Sequence, residues 1–413
     1  MSTSTFAVVQ PKRRALDPGA LRPLIDSYFD HLVSQGYRES TLGHFGYSVR
    51  HLCYWLNQAN IAVAEVNDGV LKKFAAHRCK CPGNRPSQTM SAPSISGARK
   101  FIAFLEQTQV IHRPAAPLGD DRLHAYVEWL RQHRGSSETT ISGYRDIVNQ
   151  LLPRLGPDPR KYDAALVRGV IIAEFQRRSS ADMKRYVTAL RSYLRFLITQ
   201  DQCAPTLDQA VPGVRHSTYS NIPKFLPAAT VEMLINSCDT ATPGGIRDRA
   251  VLLLLARLGL RAGDIVKLRI DDIDWQHGTL RVCGKERREA TLPLPQDAGD
   301  ALLRYLTEAR PDASFDRVFL HSKAPRQPFC RWTTVGKIVH RALVRAGIDD
   351  APAHGAHLLR HSAAAMLLQA GAPLATIGTV LRHRSVSTTA HYARVDFRTL
   401  KQIAQPWPGG ASC

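Results

Sequence analysis

Helical periodicity restricts the fold of this 413-residue chain more than any other feature of its sequence. Apolar residues recur three or four positions apart in segment after segment, a pattern typical of amphipathic α-helices. The clear exception is the basic stretch TLRVCGKERREATLPLP at 279–295, which predicts a β-hairpin with its turn near Gly284 and Lys285. We therefore expect a mainly α fold with a small β-hairpin or sheet, an α+β protein.

The helical segments fall into three blocks, and a basic stretch that contains Pro and Gly separates the second from the third. The expected organisation is a disordered tail at 1–16, an N-terminal helical domain at 17–113, a second helical domain at 118–203, a linker at 204–226, a third domain at 227–395 and a C-terminal tail at 396–413.

The first two helical domains resemble each other. Three pairs of equivalent positions occur in the same order, Tyr28 with Tyr126, Thr41 with Thr140 and Arg99 with Arg191. Each domain has an amphipathic helix, then a Ser/Thr cluster that can cap a second helix, and finally a basic and aromatic helix. Either a duplication or the general likeness of amphipathic bundles accounts for this pattern.

The charge balance indicates a polyanionic partner. Lys and Arg number 55 against 35 Asp and Glu, which gives a net charge of +20. Many phosphate contacts require many cations, so nucleic acid is the favoured partner and a membrane surface the alternative. There is no run of 18 apolar residues, and the first residues lack the apolar core of a signal peptide. We therefore expect a soluble, cytoplasmic protein with no membrane partner.

The eight cysteines are scattered, as is typical of reduced thiols in a cytosol. One cluster, His77, Cys79 and Cys81, contains residue types that bind metals. A single residue separates the two cysteines, whereas zinc sites use two to four, and no second pair lies nearby in the sequence. We expect neither a metal site nor a cofactor.

Residues suited to chemistry concentrate in the third domain. Arg261 follows a long apolar helix, and Asp264 could pair with its guanidinium. Lys285 lies at the hairpin turn, from which its side chain could reach a bound phosphate. His357 and Arg360 share a helix face, where two cations repel each other unless an anion lies between them.

A further pattern lies near the end of the third domain. His383 precedes a Ser/Thr-rich stretch that can cap a helix carrying Tyr392. Taken singly, each of these patterns also fits an ordinary role: an ion pair, a solvated lysine, a surface pair or a core tyrosine.

The order Arg, Lys, His-x-x-Arg, His, Tyr resembles the tyrosine recombinase family, also called phage integrases. The matching motifs are a G-L-R helix end, a G-K hairpin, H-x-x-R, and L-x-H followed by Ser/Thr-rich sequence and Tyr; they span 227–395. The resemblance implies that the two arginines clamp the scissile phosphate, the lysine protonates the leaving 5′ oxygen, the histidines support proton transfer and the tyrosine is the nucleophile: Arg261, Arg360, Lys285, His357, His383 and Tyr392.

These residue types suit phosphoryl transfer. Planar guanidinium forks match the oxygens of a phosphodiester, and cationic neighbours favour the phenolate of a nucleophilic tyrosine. We expect His383 to be the partner of Tyr392, and His391 to be peripheral because adjacent helical residues do not face the same way.

The chain departs from the family pattern at four positions. An Asp stands where many members have Glu, a Glu follows the hairpin lysine in place of Gly, an Ala replaces a common Arg, and an Arg replaces the usual Gly before the last His: Asp264, Glu286, Ala290 and Arg382. None of these changes removes a catalytic group, so the expected reaction is the same. The rate of the reaction and the DNA sequence preference stay open.

The resemblance also implies that 118–203 is a core-binding domain that grips DNA. The residues expected at this interface are Thr139, Thr140, Ser142, Tyr144, Arg145, Lys184, Arg185 and Arg191, with Arg287 and Arg288 on the hairpin. Domain 17–113 could contact further DNA or another protein, and we favour DNA.

The C-terminal tail has an apolar stripe that family members commonly pass to a neighbouring subunit: Phe397, Leu400, Ile403 and Ala404. We therefore expect a site-specific recombinase that acts on double-stranded DNA as a homotetramer on two sites, without ATP or metal, alone or with partner recombinases. A catalytically silent accessory protein and a type IB topoisomerase are the alternatives. The sequence does not decide between integration, excision, transposition and dimer resolution.

Overall fold

The computed structural model describes residues 16, 18–78, 81, 92–111, 121–214, 222–283, 289–383 and 385–395. These residues form a mainly helical protein with one three-stranded antiparallel sheet, which confirms the expected fold class. Two compact units are present, residues 1–111 together with 219–413, and residues 112–218. Among the described residues, no helix is both long and apolar enough to cross a membrane.

The first bundle belongs to the larger unit. Its helices are α1 (Arg22–Ser34), α2 (Glu39–Gln58), α3 (Asp68–Ala76) and α4 (Ala92–Gln107), with a 3₁₀ turn between α2 and α3. Asn67 caps α3, because its side-chain oxygen accepts hydrogen bonds from the first backbone N–H groups of that helix. The apolar faces of the helices form a core of their own.

The smaller unit is a second bundle with the same order of elements. Its helices are α5 (Asp121–Arg134), α6 (Glu138–Leu155), α7 (Ala164–Phe175) and α8 (Ser180–Thr199), with a 3₁₀ turn between α6 and α7. Ser137, Asp163 and Ser179 cap three of these helices through their side-chain oxygens.

Both bundles contain a cluster of three aromatic rings. The first helix supplies one ring and the last helix two, which are Tyr28 with Phe101 and Phe104, and Tyr126 with Tyr193 and Phe196. The centroid of the first-helix ring lies 5.2 and 5.3 Å from its partners in one bundle and 5.3 and 5.6 Å in the other. This shared arrangement supports the duplication, which stays a prediction.

The stretch predicted to be a linker has packed residues near each of its ends where the structure describes it. Leu207 and Val211 are buried in the core of the second bundle, beside a 3₁₀ turn at Leu207–Ala210. At the other end of the stretch, the backbone N–H of Leu226 donates to Ser362 Oγ at 2.8 Å. Apolar side chains at each described end of this stretch therefore pack into the core of their own unit, despite its Pro- and Gly-containing composition.

The third domain is built around a helix whose central residues are fully buried. Its elements are α9 (Ala228–Asn236), α10 (Pro243–Leu258), α11 (Ala262–Lys267), β1 (Ile273–Asp274), β2 (Thr279–Cys283), β3 (Glu289–Pro293), α12 (Gln296–Arg304), α13 (Trp332–Arg345), α14 (Ala356–Gln369), α15 (Leu374–Val380) and α16 (Val386–Ala390). All residues of α10 from 250 to 256 are buried, as expected of a helical segment that is apolar all round. β2 and β3 form the predicted hairpin, in which Leu280 pairs with Leu292.

Two glycines offer a test of the packing between α2 and α4. A Cβ at Gly97 would lie 2.7 Å from Ser48 Cβ, whereas a Cβ at Gly169 on α7 would meet nothing within 4 Å. Gly97→Ala should lower the free energy of unfolding by about 1–2 kcal/mol, because the overpacking exceeds the gain in helix propensity. Gly169→Ala should raise it by about 0.5–1 kcal/mol. Urea denaturation followed by circular dichroism measures both, and equal effects of the two changes would contradict the close approach.

Candidate active site

Gly259 begins the candidate site by ending α10. It has a φ of +56°, a conformation that L-residues adopt at a cost, and it is the C-cap of the helix. A Cβ there would lie 2.4 Å from Leu381 Cδ2, so only glycine fits. The chain then turns into α11 with Arg261 at its N-cap. The G-L-R motif therefore reflects a helix end that must turn sharply against the segment after α15.

Arg360 on α14 lies at the centre of the site and is 4% exposed. Its two terminal nitrogens donate to the backbone carbonyls of Gly259 and Leu381. Burial, followed by the nearby charges of Arg261 and Arg382, lowers the Arg360 pKa to about 10. The guanidinium is thus still charged at neutral pH, in a place that favours an incoming anion.

Arg261 belongs to the same group of cations. Its Nη2 donates to the carbonyl of Arg382 at 2.8 Å. Burial, and then the charge of Arg382, lowers the Arg261 pKa. Three guanidinium groups therefore influence one another here, as expected of a site that binds a phosphate.

Two departures from the family pattern pair with each other. Arg382 Nη2 lies 2.5 Å from Asp264 Oδ2; the Asp264 side chain is buried and that of Arg382 is half-buried. Asp264 Oδ2 also accepts from the backbone N–H of Arg261 at 2.9 Å. We expected the carboxylate to hold the Arg261 guanidinium; instead the structure pairs it with Arg382.

Arg382 occupies a backbone conformation that suits glycine. Its φ is +54°, in the left-handed region, which explains why glycine is usual before the last His of the motif. Nε and Nη1 of Arg382 are buried, and neither has a hydrogen-bond partner within the part of the chain that the structure describes. These two donors are available to an anion.

Tyr392 is 2% exposed and packs against Ile377, Leu381 and Ala364. It lies in a 3₁₀ turn, His391–Val395, that directly follows α16. Burial raises the pKa of Tyr392, while the charge of Arg360 opposes that rise. The phenol is therefore protonated at neutral pH in this state, and a base must take its proton before it can attack.

The Tyr392 hydroxyl contacts His361, not His383. The distance from the phenol oxygen to His361 Nδ1 is 2.6 Å. The His383 ring lies parallel to the Tyr392 ring at a centroid distance of 6.2 Å, and its Nδ1 is 2.8 Å from Thr389 Oγ1. The stacked ring supports the position of the tyrosine, and the hydrogen bond belongs to His361.

The three imidazoles of the site are neutral at pH 7. Burial lowers the pKa of His361 to about 4, assisted by His357 and Arg360. Burial, and then Arg360 and Arg261, lowers that of His383 to about 4. His357 is exposed on one side, yet partial desolvation and the charge of Arg360 lower its pKa as well. A neutral His361 can accept the phenol proton at Nδ1.

The sequence contains a signal for His361 outside the family motif. His357 and His361 are four residues apart on α14, so they share a face, and their ring centroids are 6.3 Å apart. The H-x-x-R motif ends at Arg360, one residue before His361. His391, expected to be peripheral, makes the smallest of the contributions that lower the pKa of His361.

The structure brings five of the six expected catalytic residues together: Arg261, His357, Arg360, His383 and Tyr392. The sixth, Lys285, lies outside the described residues, as do Glu286, Arg287, Arg288 and the tail stripe at 397–404. Ala290, the remaining departure, is half-buried on β3.

The residues expected at a DNA interface lie on α6 and α8. Five are exposed, namely Thr139, Ser142, Arg145, Lys184 and Arg185, whereas Thr140, Tyr144 and Arg191 are half-buried. Thr140 belongs to the cap of α6, where its backbone N–H donates to Ser137 Oγ. Arg191 Nη2 donates to the carbonyl of Val211 at 2.7 Å, so its guanidinium is engaged within the bundle.

Comparisons with known proteins agree with this geometry. Residues 224–399 match the model of the Phage integrase family. The chain is 37% identical over 424 residues to the integrase/recombinase y4rA of Sinorhizobium fredii (strain NBRC 101917 / NGR234), covering 98% of each chain. It is 31% identical over 300 residues to the tyrosine recombinase XerD of Listeria innocua, covering 69% of this chain and 97% of that protein.

A solved structure shares the fold. The match is to a lambda integrase tetramer bound to a Holliday junction, with a TM-score of 0.52 and 18% identity over 75% of this chain and 89% of that one. The identities and coverage of the sequence relatives, together with the shared fold, lead to one assignment. The chain belongs to the phage integrase family, the tyrosine recombinases.

Proposed function

We propose that this protein is a site-specific recombinase that breaks and rejoins DNA strands through a covalent bond between Tyr392 and a backbone phosphate. One observation carries the proposal: a buried phenol is hydrogen-bonded to a neutral imidazole and lies within the field of the Arg360 guanidinium. A phenol in this setting has a proton acceptor and an anion-binding group beside it, which are the requirements of a nucleophile that attacks phosphorus.

The arginines bind the phosphate in the proposed reaction. Negative charge accumulates on the non-bridging oxygens as the phenol oxygen attacks, and preorganised guanidinium donors stabilise that charge. Arg261 and Arg360 supply the clamp, and the free Nε and Nη1 of Arg382 add two donors nearby. Backbone carbonyls hold Arg360 in place before DNA arrives, so little reorganisation accompanies binding.

In the proposed cleavage step, one bond to phosphorus forms as another breaks, and a proton moves at each of the two oxygens. The Tyr392 oxygen forms a bond to phosphorus, the bond from phosphorus to the 5′ oxygen breaks, and the phenol proton moves to His361 Nδ1. Lys285 donates a proton to the departing 5′ oxygen, a role that follows from the family motif. A 5′-hydroxyl of another strand then attacks the phosphotyrosine, and the same steps run in reverse. His357 and His383 act as supporting donors.

Assembly on DNA is the second part of the proposal. The second bundle is the core-binding domain and presents the exposed α6 and α8 side chains to phosphates, which also concentrates the protein on the nucleoid. The tetramer of the related lambda integrase on a Holliday junction supports a homotetramer on two double-stranded DNA sites. Partner recombinases remain an alternative to four identical subunits.

Covalent trapping tests the reaction. Duplexes from the DNA that flanks the gene, each carrying a nick just beyond the candidate cleavage position, should accumulate a protein–DNA adduct that survives denaturing electrophoresis. Tyr392→Phe should abolish the adduct because it removes the nucleophilic oxygen. Tyr186→Phe is the matched control, since that hydroxyl contacts Gln150 in the second bundle. An adduct that persists in Tyr392→Phe rejects the assignment.

The same substrates separate the alternatives. A silent accessory protein binds DNA and forms no adduct with any nicked duplex. A type IB topoisomerase forms the adduct and relaxes supercoiled DNA without exchanging strands between two sites. A recombinase forms the adduct and also exchanges strands between two differently labelled duplexes.

His361 should act in the cleavage step. His361→Asn should slow adduct formation by about 10²-fold, because general-base assistance contributes on this order. The acidic limb of the pH profile of kcat/KM should also change: in the wild type the rate falls as pH decreases toward the His361 pKa of about 4, whereas the variant has no such group to protonate. Quenched-flow measurements from about pH 4, near the lowered His361 pKa, to about pH 8, above the ordinary His pKa, measure both. A larger and pH-dependent loss in His383→Asn alone would assign the proton transfer to His383.

The pair formed by Asp264 and Arg382 should stabilise the site. Arg382→Gly removes about 1–2 kcal/mol of left-handed strain but leaves a buried carboxylate without its cation, which costs about 3–5 kcal/mol. The free energy of unfolding should therefore fall by about 2 kcal/mol. The double variant Arg382→Gly with Asp264→Asn should recover most of that loss in chemical denaturation. An Arg382→Gly protein as stable as the wild type would show that the ion pair contributes no more than the backbone strain that it offsets.

A further inference from the structure

The first bundle contains a group of nitrogen and sulfur donors that recombination does not use. His51 on α2, His77 directly after α3, and Cys81 each offer one donor atom, and these three atoms lie within 4.8 Å of one another. The sequence separates His51 from His77 by a whole helix, so only folding brings the three residues together. His77 and Cys81 have three residues between them, which is an ordinary spacing for two zinc ligands.

His77 is oriented as a metal ligand would be. Its Nδ1 donates to the carbonyl of Phe74 at 2.5 Å, because a carbonyl can only accept. This bond fixes the proton on Nδ1 and leaves the lone pair on Nε2, as the second shell of a metal-binding histidine does. Nε2 of His77 is buried and has no hydrogen-bond partner among the residues that the structure describes.

The surroundings of the cluster are rich in aromatic rings. His51 is 0% exposed, and its ring lies 5.3 Å from that of His77 at an angle of 70°. Phe74 stacks on His77 at 5.2 Å, and Trp55 lies 5.7 Å from it. An apolar shell of this kind limits solvent access to a metal and strengthens its interaction with a thiolate.

We propose that His51, His77 and Cys81 bind a zinc ion in the first bundle. Two imidazoles and one thiolate are the borderline-soft ligands that Zn²⁺ prefers, whereas Ca²⁺ and Mg²⁺ require oxygen ligands. Zinc bonds of about 2.0–2.3 Å place tetrahedral ligands about 3.3–3.8 Å apart, so small side-chain movements close the present spacing. The Cys81 thiol releases its proton as the sulfur–zinc bond forms, and one coordination position stays open to a further ligand.

A zinc ion at this cluster would stabilise the first bundle. The proposed zinc ion joins the segment after α3 to the middle of α2, where Phe74 already contacts the rings of His51 and Trp55. Metal binding to the native state alone stabilises that state by mass action. The ion therefore strengthens the first bundle and is separate from the phosphate chemistry of Tyr392.

Metal analysis of the full-length, tag-free protein tests the proposal. Protein expressed in zinc-supplemented medium should carry about one equivalent of zinc per chain by plasma mass spectrometry. Cys81→Ser and His77→Gln should each lose most of it. Cys203→Ser is the matched control, because that half-buried thiol lies in the second bundle and should leave the zinc content unchanged.

Cobalt substitution reports the ligand chemistry directly. Co²⁺ added to metal-free protein should give a thiolate-to-cobalt charge-transfer band in the near ultraviolet, absent in Cys81→Ser and present in Cys203→Ser. Zinc should raise the thermal unfolding midpoint of the wild type and leave that of Cys81→Ser unchanged. Circular dichroism before metal is added shows whether each variant is folded.

Two results would overturn the proposal. The first is a wild-type protein that binds less than a stoichiometric amount of zinc and shows no cobalt–thiolate band. The second is equal zinc in Cys81→Ser, His77→Gln and the wild type, which would place the metal elsewhere. Neither result affects the Tyr392 adduct, so failure here is distinguishable from failure of the proposed recombinase activity.

Discussion

The hydrogen bonds from the Arg360 guanidinium to two backbone carbonyls organise the third domain. One carbonyl belongs to Gly259 at the end of α10, and the other to Leu381 after α15. A single buried cation therefore ties three segments that are far apart in the sequence. Because burial of an unpaired guanidinium is expensive, these carbonyls must stay in place, and the same constraint keeps the charge ready for a phosphate.

Neighbouring features follow from this arrangement. Gly259 is required both by its positive φ and by the close approach of Leu381, so the motif glycine has a packing reason as well as a conformational one. Arg382 adopts the left-handed conformation with a larger side chain, and its ion pair with Asp264 offsets the strain. Two substitutions that look unrelated in the sequence thus compensate each other, which no consideration of either position alone suggests.

The histidines of the site could be predicted from the sequence only in part. Motif order pointed to Arg261, His357, Arg360, His383 and Tyr392, and the structure brings these residues together. It did not point to His361 as the phenol partner, because a hydrogen bond between α14 and the turn after α16 depends on how the two elements pack. The proposed zinc ligands follow the same logic: the sequence displays His77 and Cys81, while His51 joins them only through the contact of α2 with α3.

The sequence by itself determined the helical character, the hairpin, the apolar α10 and the set of residues suited to phosphoryl transfer. Local periodicity and residue chemistry encode these features, since each depends on neighbours a few positions away. Tertiary structure alone decided that Asp264 pairs with Arg382, that Val211 rather than a phosphate engages Arg191, and that His361 meets Tyr392. Such pairings join residues distant along the chain, and their geometry arises from packing that no local pattern specifies.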